Sequence, residues 1–110
     1  MSHGHPVDPD RVAIARQAAF SRGEADDVAA ALRALGDPVR VRVLSAVAAV
    51  DEICVGDVAA ALGIDEDRVS YAFRQLRAAR IVARRRAGRV VYYRVVDERA
   101  RTLLADAHGP

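Results

Sequence analysis

Read for its alternation of apolar and polar positions, the chain breaks into short amphipathic stretches punctuated by Gly, Pro and acidic residues. From Arg11 to about Ser21, Val12, Ala15, Ala18 and Ala19 give a weak apolar face behind Asp10, which predicts a helix capped by that aspartate. Gly23 separates it from a second helix, about Ala25 to Leu35, whose Val28, Leu32 and Leu35 recur at spacings of four and three. Gly36 stops that helix. Asp37 and Pro38 then supply a cap and a first-turn proline for a third, Pro38 to Val50, with Val39, Val43, Leu44 and Val47 turned to the core. Ile53, Cys54 and Val55 form a short extended entry to a helix running from Gly56 or Asp57 to Leu62.

Between Val55 and Leu76 the pattern is most informative. Gly63 can take a left-handed cap, Ile64 can fill the crevice between helices, and Asp65 can accept from the amides that open the next helix. That helix buries Val69, Ala72, Phe73, Leu76 and Ala79 at a period of about 3.6 residues and turns Arg68, Ser70, Tyr71, Arg74, Gln75 and Arg77 outward. Two helices on so short a link, the second with a polar outer face, form a helix-turn-helix whose second helix suits a nucleic-acid groove. From Ile81 the period changes. Ile81 to Arg86 and Arg89 to Val95 flank Ala87 and Gly88, which predicts a two-stranded hairpin, and Asp97 opens a last helix with Ala100, Leu103, Leu104 and Ala107 as its stripe.

The expected architecture is therefore mainly α with a β-hairpin, a winged helix-turn-helix over residues 11–108 preceded by a flexible N-terminal arm, residues 1–10. At 110 residues this is one domain with about 65% of its extended-chain surface buried on folding. A core of Ala, Val and Leu with two Phe, three Tyr and no Trp would gain stability from a subunit interface.

Charge changes the picture through its distribution. The net charge is only +2, but nine Arg and no Asp or Glu lie between Arg68 and Arg94. A single-signed patch on a balanced protein points to a phosphate backbone as partner. Arg neutralises and positions phosphates while polar side chains in the groove meet base edges. Gln75 can read adenine, and Arg74 can read guanine or hold phosphate. Arg84, Arg85, Arg86 and Arg89 surround Gly88 and extend the basic surface into the hairpin, where alternation sends some of them away from DNA.

Cys54 is the sole cysteine, which excludes an intrachain disulfide and fits a cytoplasmic setting. No signal segment or membrane-spanning run is present, so no membrane partner is expected. No nucleophile, base and orienting group occur together, and the chain is not expected to be an enzyme.

LRALGDPVRVRVLSAV followed by EICVGDVAAALGIDEDRVSYAFRQLRAARIVARRRAGRVVYYRVVDE resembles the arsenic- and zinc-responsive repressor family called ArsR/SmtB, over about Ala25 to Leu104. The resemblance implies a homodimeric repressor that binds double-stranded operator DNA and leaves it when an effector, often a metal ion, binds. It places the wing at the arginine-rich hairpin. The family's usual Ser-His pair is here Ser70 and Tyr71, so the operator preference is expected to differ. One class of family metal site uses Cys-x-x-Asp at the first helix of the motif, completed by the other subunit's N-terminal arm. Cys54 and Asp57 match that spacing, and the arm carries His3 and His5. One thiolate with carboxylate and imidazoles suits zinc, with nickel or cobalt next, better than arsenic. Cys is also among the residue types most often buried, and Asp57 equally suits a helix cap. A second family site needs Asp-x-His; here Asp97 is followed by Glu98 and Arg99, and only His108 remains near the end. The alternatives are the same fold with a redox, organic or no effector, and a protein-interaction module without operator binding.

Overall fold

The computed structural model describes residues 7–108. Among them the chain runs α1 (Pro9–Ala18), α2 (Arg22–Leu35), α3 (Pro38–Ala48), β1 (Ile53–Cys54), α4 (Val55–Leu62), α5 (Glu66–Ala78), β2 (Val82–Ala87), β3 (Val90–Val95) and α6 (Glu98–His108). The three strands form one antiparallel sheet in the order β1-β3-β2. This is the winged helix-turn-helix expected from the pattern, with one added strand, β1, closing the sheet against the wing.

Local chemistry sets most helix starts. Asp37 accepts from the Arg40 amide at 3.0 Å with Pro38 in the first turn, so α3 begins where the sequence places it. The first two helices begin earlier than expected. Asp8, not Asp10, caps α1, accepting from the amides of Asp10 and Arg11 at 3.0 and 3.1 Å with Pro9 in the first turn. Ser21 and Glu24 form a reciprocal capping box, so α2 starts at Arg22 and Gly23 lies inside its first turn. The guanidinium of Arg40 donates to the carbonyls of Ala34 and Arg33, satisfying the end of α2 from the next helix.

The core sits between α3, α4, α5 and the sheet. Val43, Leu44 and Val47 of α3, Val58 of α4, and Val69, Phe73 and Leu76 of α5 are completely buried, as is Ile81. Ala100 joins the core from α6. Phe73 and Tyr93 stack at 3.9 Å between ring centroids and 8° between planes, which fixes the sheet on α5. α1 differs from the rest. None of its residues is buried, and Ile14 is 68% exposed, so the single chain offers this helix nothing to cover it. A ten-residue helix is marginal in water without a packed face. No helix among the described residues is long and apolar enough to cross a membrane.

Candidate nucleic-acid interface and effector site

α4 and α5 are joined by a turn whose parts each have a physical reason. Gly63 adopts φ +67°, a left-handed conformation that costs an L side chain about 1–2 kcal/mol, and its amide donates to Ala59 at 2.9 Å. Asp65 accepts from the Arg68 amide at 3.0 Å, and Glu66 and Asp67 occupy the first turn of α5, at the positive end of its dipole. Arg42 of α3 donates to the carbonyl of Leu62 at 3.2 Å, a tie across the motif that periodicity does not reveal.

With Val69, Ala72, Phe73 and Leu76 buried, a rotation of roughly 100° per residue puts Tyr71 and Arg74 on the outermost line of α5. Tyr71 is 56% exposed and the Arg74 guanidinium lies 5.8 Å from its ring centroid. Ser70 and Arg77 fall on one flank, Arg68 and Gln75 on the other; Ser70 and Gln75 are half-buried and the three arginines exposed. The helix thus presents Tyr71 and Arg74 outermost, with a serine and a glutamine set back on opposite sides.

The wing separates its arginines by face. Paired residues in an antiparallel ladder share a face, and Arg84 pairs with Tyr93 while Arg86 pairs with Val91. Since Tyr93 stacks on Phe73, Arg84 and Arg86 belong to the α5 side of the sheet. Arg85 pairs with Tyr92 and belongs to the opposite side, where its guanidinium lies 5.0 Å from the Tyr92 ring centroid. There it forks onto Glu52: Nε donates to Oε2 at 2.8 Å and to Oε1 at 3.1 Å, and Nη2 also donates to Oε1. That hydrogen bond from Arg85 holds the Glu52 carboxyl below the usual range and in turn raises Arg85. The tip is a two-residue turn of Gly88 (φ +64°) and Arg89, one residue later than the expected Ala87 and Gly88.

Cys54 ends β1, where it pairs with Tyr92, and stands at the N-cap of α4 without a side-chain capping bond. It is half-buried, and Asp57 is exposed in the first helical turn. These two donors are near neighbours along one turn and fit half of a tetrahedral site, which takes four ligands. Among the described residues no group of three or more His, Cys, Asp or Glu could hold a metal ion. His3 and His5 lie outside the described residues. Asp97 is engaged elsewhere: its Oδ1 accepts from the amides of Arg99 and Ala100 at 2.9 and 3.3 Å, with the Arg99 Nε at 3.6 Å.

The family model described as bacterial regulatory protein, arsR family, matches residues 37–84, from the cap of α3 into the wing. The chain is 41% identical over 87 residues to a transcriptional repressor SmtB homolog of Synechocystis sp., covering 79% of this chain and 65% of that protein. It therefore spans slightly less than two thirds of that relative's length. It is 33% identical over 81 residues to a cadmium resistance transcriptional regulatory protein CadC homolog of Staphylococcus aureus, covering 74% of this chain and 67% of that one. The crystal structure of the AntR antimony-specific transcriptional repressor matches with a TM-score of 0.74 at 32% identity, over 80% of this chain and 79% of that one. On these matches the chain, with its helix-turn-helix and wing, belongs to the ArsR family of winged helix-turn-helix regulators.

Proposed function

We propose that the protein is a homodimeric, metal-responsive transcriptional repressor that holds operator DNA through α5 and the wing and is released by a metal ion. The observation that carries the DNA-binding part is the Phe73–Tyr93 stack. It joins α5 and the wing into one unit in which Tyr71 and Arg74 are outermost on the helix and Arg84 and Arg86 lie on the helix side of the sheet. A helix entering the major groove would use Tyr71, Arg74 and the set-back Ser70 and Gln75 toward bases. Arg68, Arg77, Arg84, Arg86 and the turn residue Arg89 would neutralise phosphates.

Two features support a dimer. α1 has no buried residue, and α6 leaves Leu103 43% exposed, so a second copy can cover both terminal helices. Two-fold symmetry would then present the two α5 helices to successive major grooves of a pseudo-palindromic site. A metal effector is supported by the Cys54 and Asp57 spacing and by relatives described as a cadmium resistance regulator and an antimony-specific repressor. With a single thiol per chain, zinc, nickel or cobalt suits the donor set better than ions that demand several thiolates. His3 and His5 are the proposed remaining donors.

The test is titration of metal-free protein with Zn²⁺, Ni²⁺ and Co²⁺ during retention of a labelled promoter fragment, with Cys54→Ala and Asp57→Ala in parallel. Release by one ion in the wild type, lost in both variants, is expected. Retention unaffected by every ion, with none taken up, would refute metal sensing and leave the DNA-binding part standing.

A further inference from the structure

The wing carries arginine on both faces of its sheet, and one of these arginines already has an anionic partner within the chain. We propose that Glu52 withholds Arg85 from DNA: the Glu52 carboxylate occupies the guanidinium fork that a backbone phosphate would otherwise take. The phosphate-binding set of the wing is thereby limited to Arg84, Arg86 and Arg89. The proposal rests on the DNA-binding reading above and is independent of the metal-sensing part.

Three observations meet here. Register places Arg85 opposite Tyr92 and Tyr92 opposite Cys54, so Arg85, Tyr92 and Cys54 share the sheet face turned away from α5. Glu52 lies two residues before Cys54, and its side chain reaches back over that face to Arg85. The guanidinium is held from two directions, edge-on by both carboxylate oxygens and face-on by the Tyr92 ring at 5.0 Å. A planar fork matched to a carboxylate is the same recognition that a phosphate uses, so the two anions compete for one set of donors.

The pair is partly exposed, with side-chain exposures of 50% for Arg85 and 29% for Glu52, and its worth to folding is small. Its effect on DNA binding is set by how the neighbouring carboxylate competes with phosphate for the same guanidinium, which the salt dependence of binding reads directly. An arginine whose charge is already neutralised displaces no counterion when DNA arrives, whereas a free one contributes about −0.9 to the slope of log K against log salt. Over a tenfold range of salt that difference amounts to roughly eightfold in affinity.

The experiment measures retention of a mixed-sequence duplex over a salt series by metal-free wild type, Glu52→Gln, Arg85→Ala, the double variant and Asp51→Asn. Asp51→Asn removes a neighbouring exposed carboxylate and controls for general charge. The expected result is a slope steeper by about 0.9 in Glu52→Gln alone, with Arg85→Ala, the double variant and Asp51→Asn close to wild type. A shallower slope in Arg85→Ala with no change in Glu52→Gln would overturn the proposal, because Arg85 would then touch phosphate despite its partner. Equal gains in Glu52→Gln and Asp51→Asn would overturn it too, by assigning the effect to net charge. Failure of the wild type to retain any duplex would refute the DNA-binding reading itself, and the proposal with it.

Discussion

Arg80 is the one non-glycine residue with positive φ among those described, at +61°, and replacing it with glycine should stabilise the protein. It follows the C-cap Ala79 of α5 and closes the helix: its amide donates to Arg77 at 2.9 Å, while the Ile81 amide reaches back to Leu76 at 3.0 Å. This is a Schellman ending, and its left-handed position ordinarily falls to glycine. A side chain there costs about 1–2 kcal/mol, while glycine's greater freedom in the unfolded chain returns about 0.5–1 kcal/mol. Arg80 is exposed, so little contact is lost, and Arg80→Gly should gain roughly 0.5–1 kcal/mol, or about 4 °C in Tm for a domain of this size. Urea unfolding of wild type, Arg80→Gly and Arg80→Ala at one fixed protein concentration would measure it. Alanine removes the charge and keeps the strain, so it should fall near wild type. Glycine no more stable than alanine, with equal m-values, would refute the reasoning.

Three further outcomes are expected. Leu44→Ala, at a fully buried position of α3, should lose about 2–5 kcal/mol in urea unfolding. Asp65→Ala removes the acceptor for the Arg68 amide at the start of α5 and should lose about 1 kcal/mol by the same measurement. Hydrogen bonds from the Ser21 backbone amide, then from its side chain, lower the Glu24 carboxyl below its usual range. Stability from this box is therefore complete above the unfolded glutamate pKa of roughly 4.3 and is lost as pH falls through the lower folded value. Glu24→Gln, which does not titrate, should flatten that part of an acid unfolding curve.

The helix-turn-helix was legible because each of its parts has a local cause. Val69, Ala72, Phe73 and Leu76 declare the buried face of α5, and Gly63 and Asp65 declare the turn, before any tertiary contact is known. Two helix starts were displaced although their signals were present. Pro9 in a first turn points to Asp8 as the cap, and Ser21 with Glu24 three residues on is the capping-box spacing. Other features depended on distant packing. β1 is two residues long, too short for any period, and its pairing with β3 is visible only in the fold. Which wing arginines face α5 follows from the Tyr93 contact with Phe73, and the Glu52–Arg85 pair joins residues 33 positions apart; alternation alone says only that neighbours differ. The expectation of a non-enzymatic chain agrees with its family, whose matched members are transcriptional regulators.

The order β1-β3-β2 leaves β2 at the rim of the sheet. A rim strand has unsatisfied backbone donors and acceptors that invite strand addition from another molecule, and Arg84, Arg85 and Arg86 place consecutive positive charges along it. Charges so placed work against self-association at an exposed strand edge. Removing them together for Val or Thr would leave a strand-prone segment, VAVVVA or VATTTA, open to amyloid-like stacking. A loss of activity in such a variant would then report insoluble protein rather than a weakened complex.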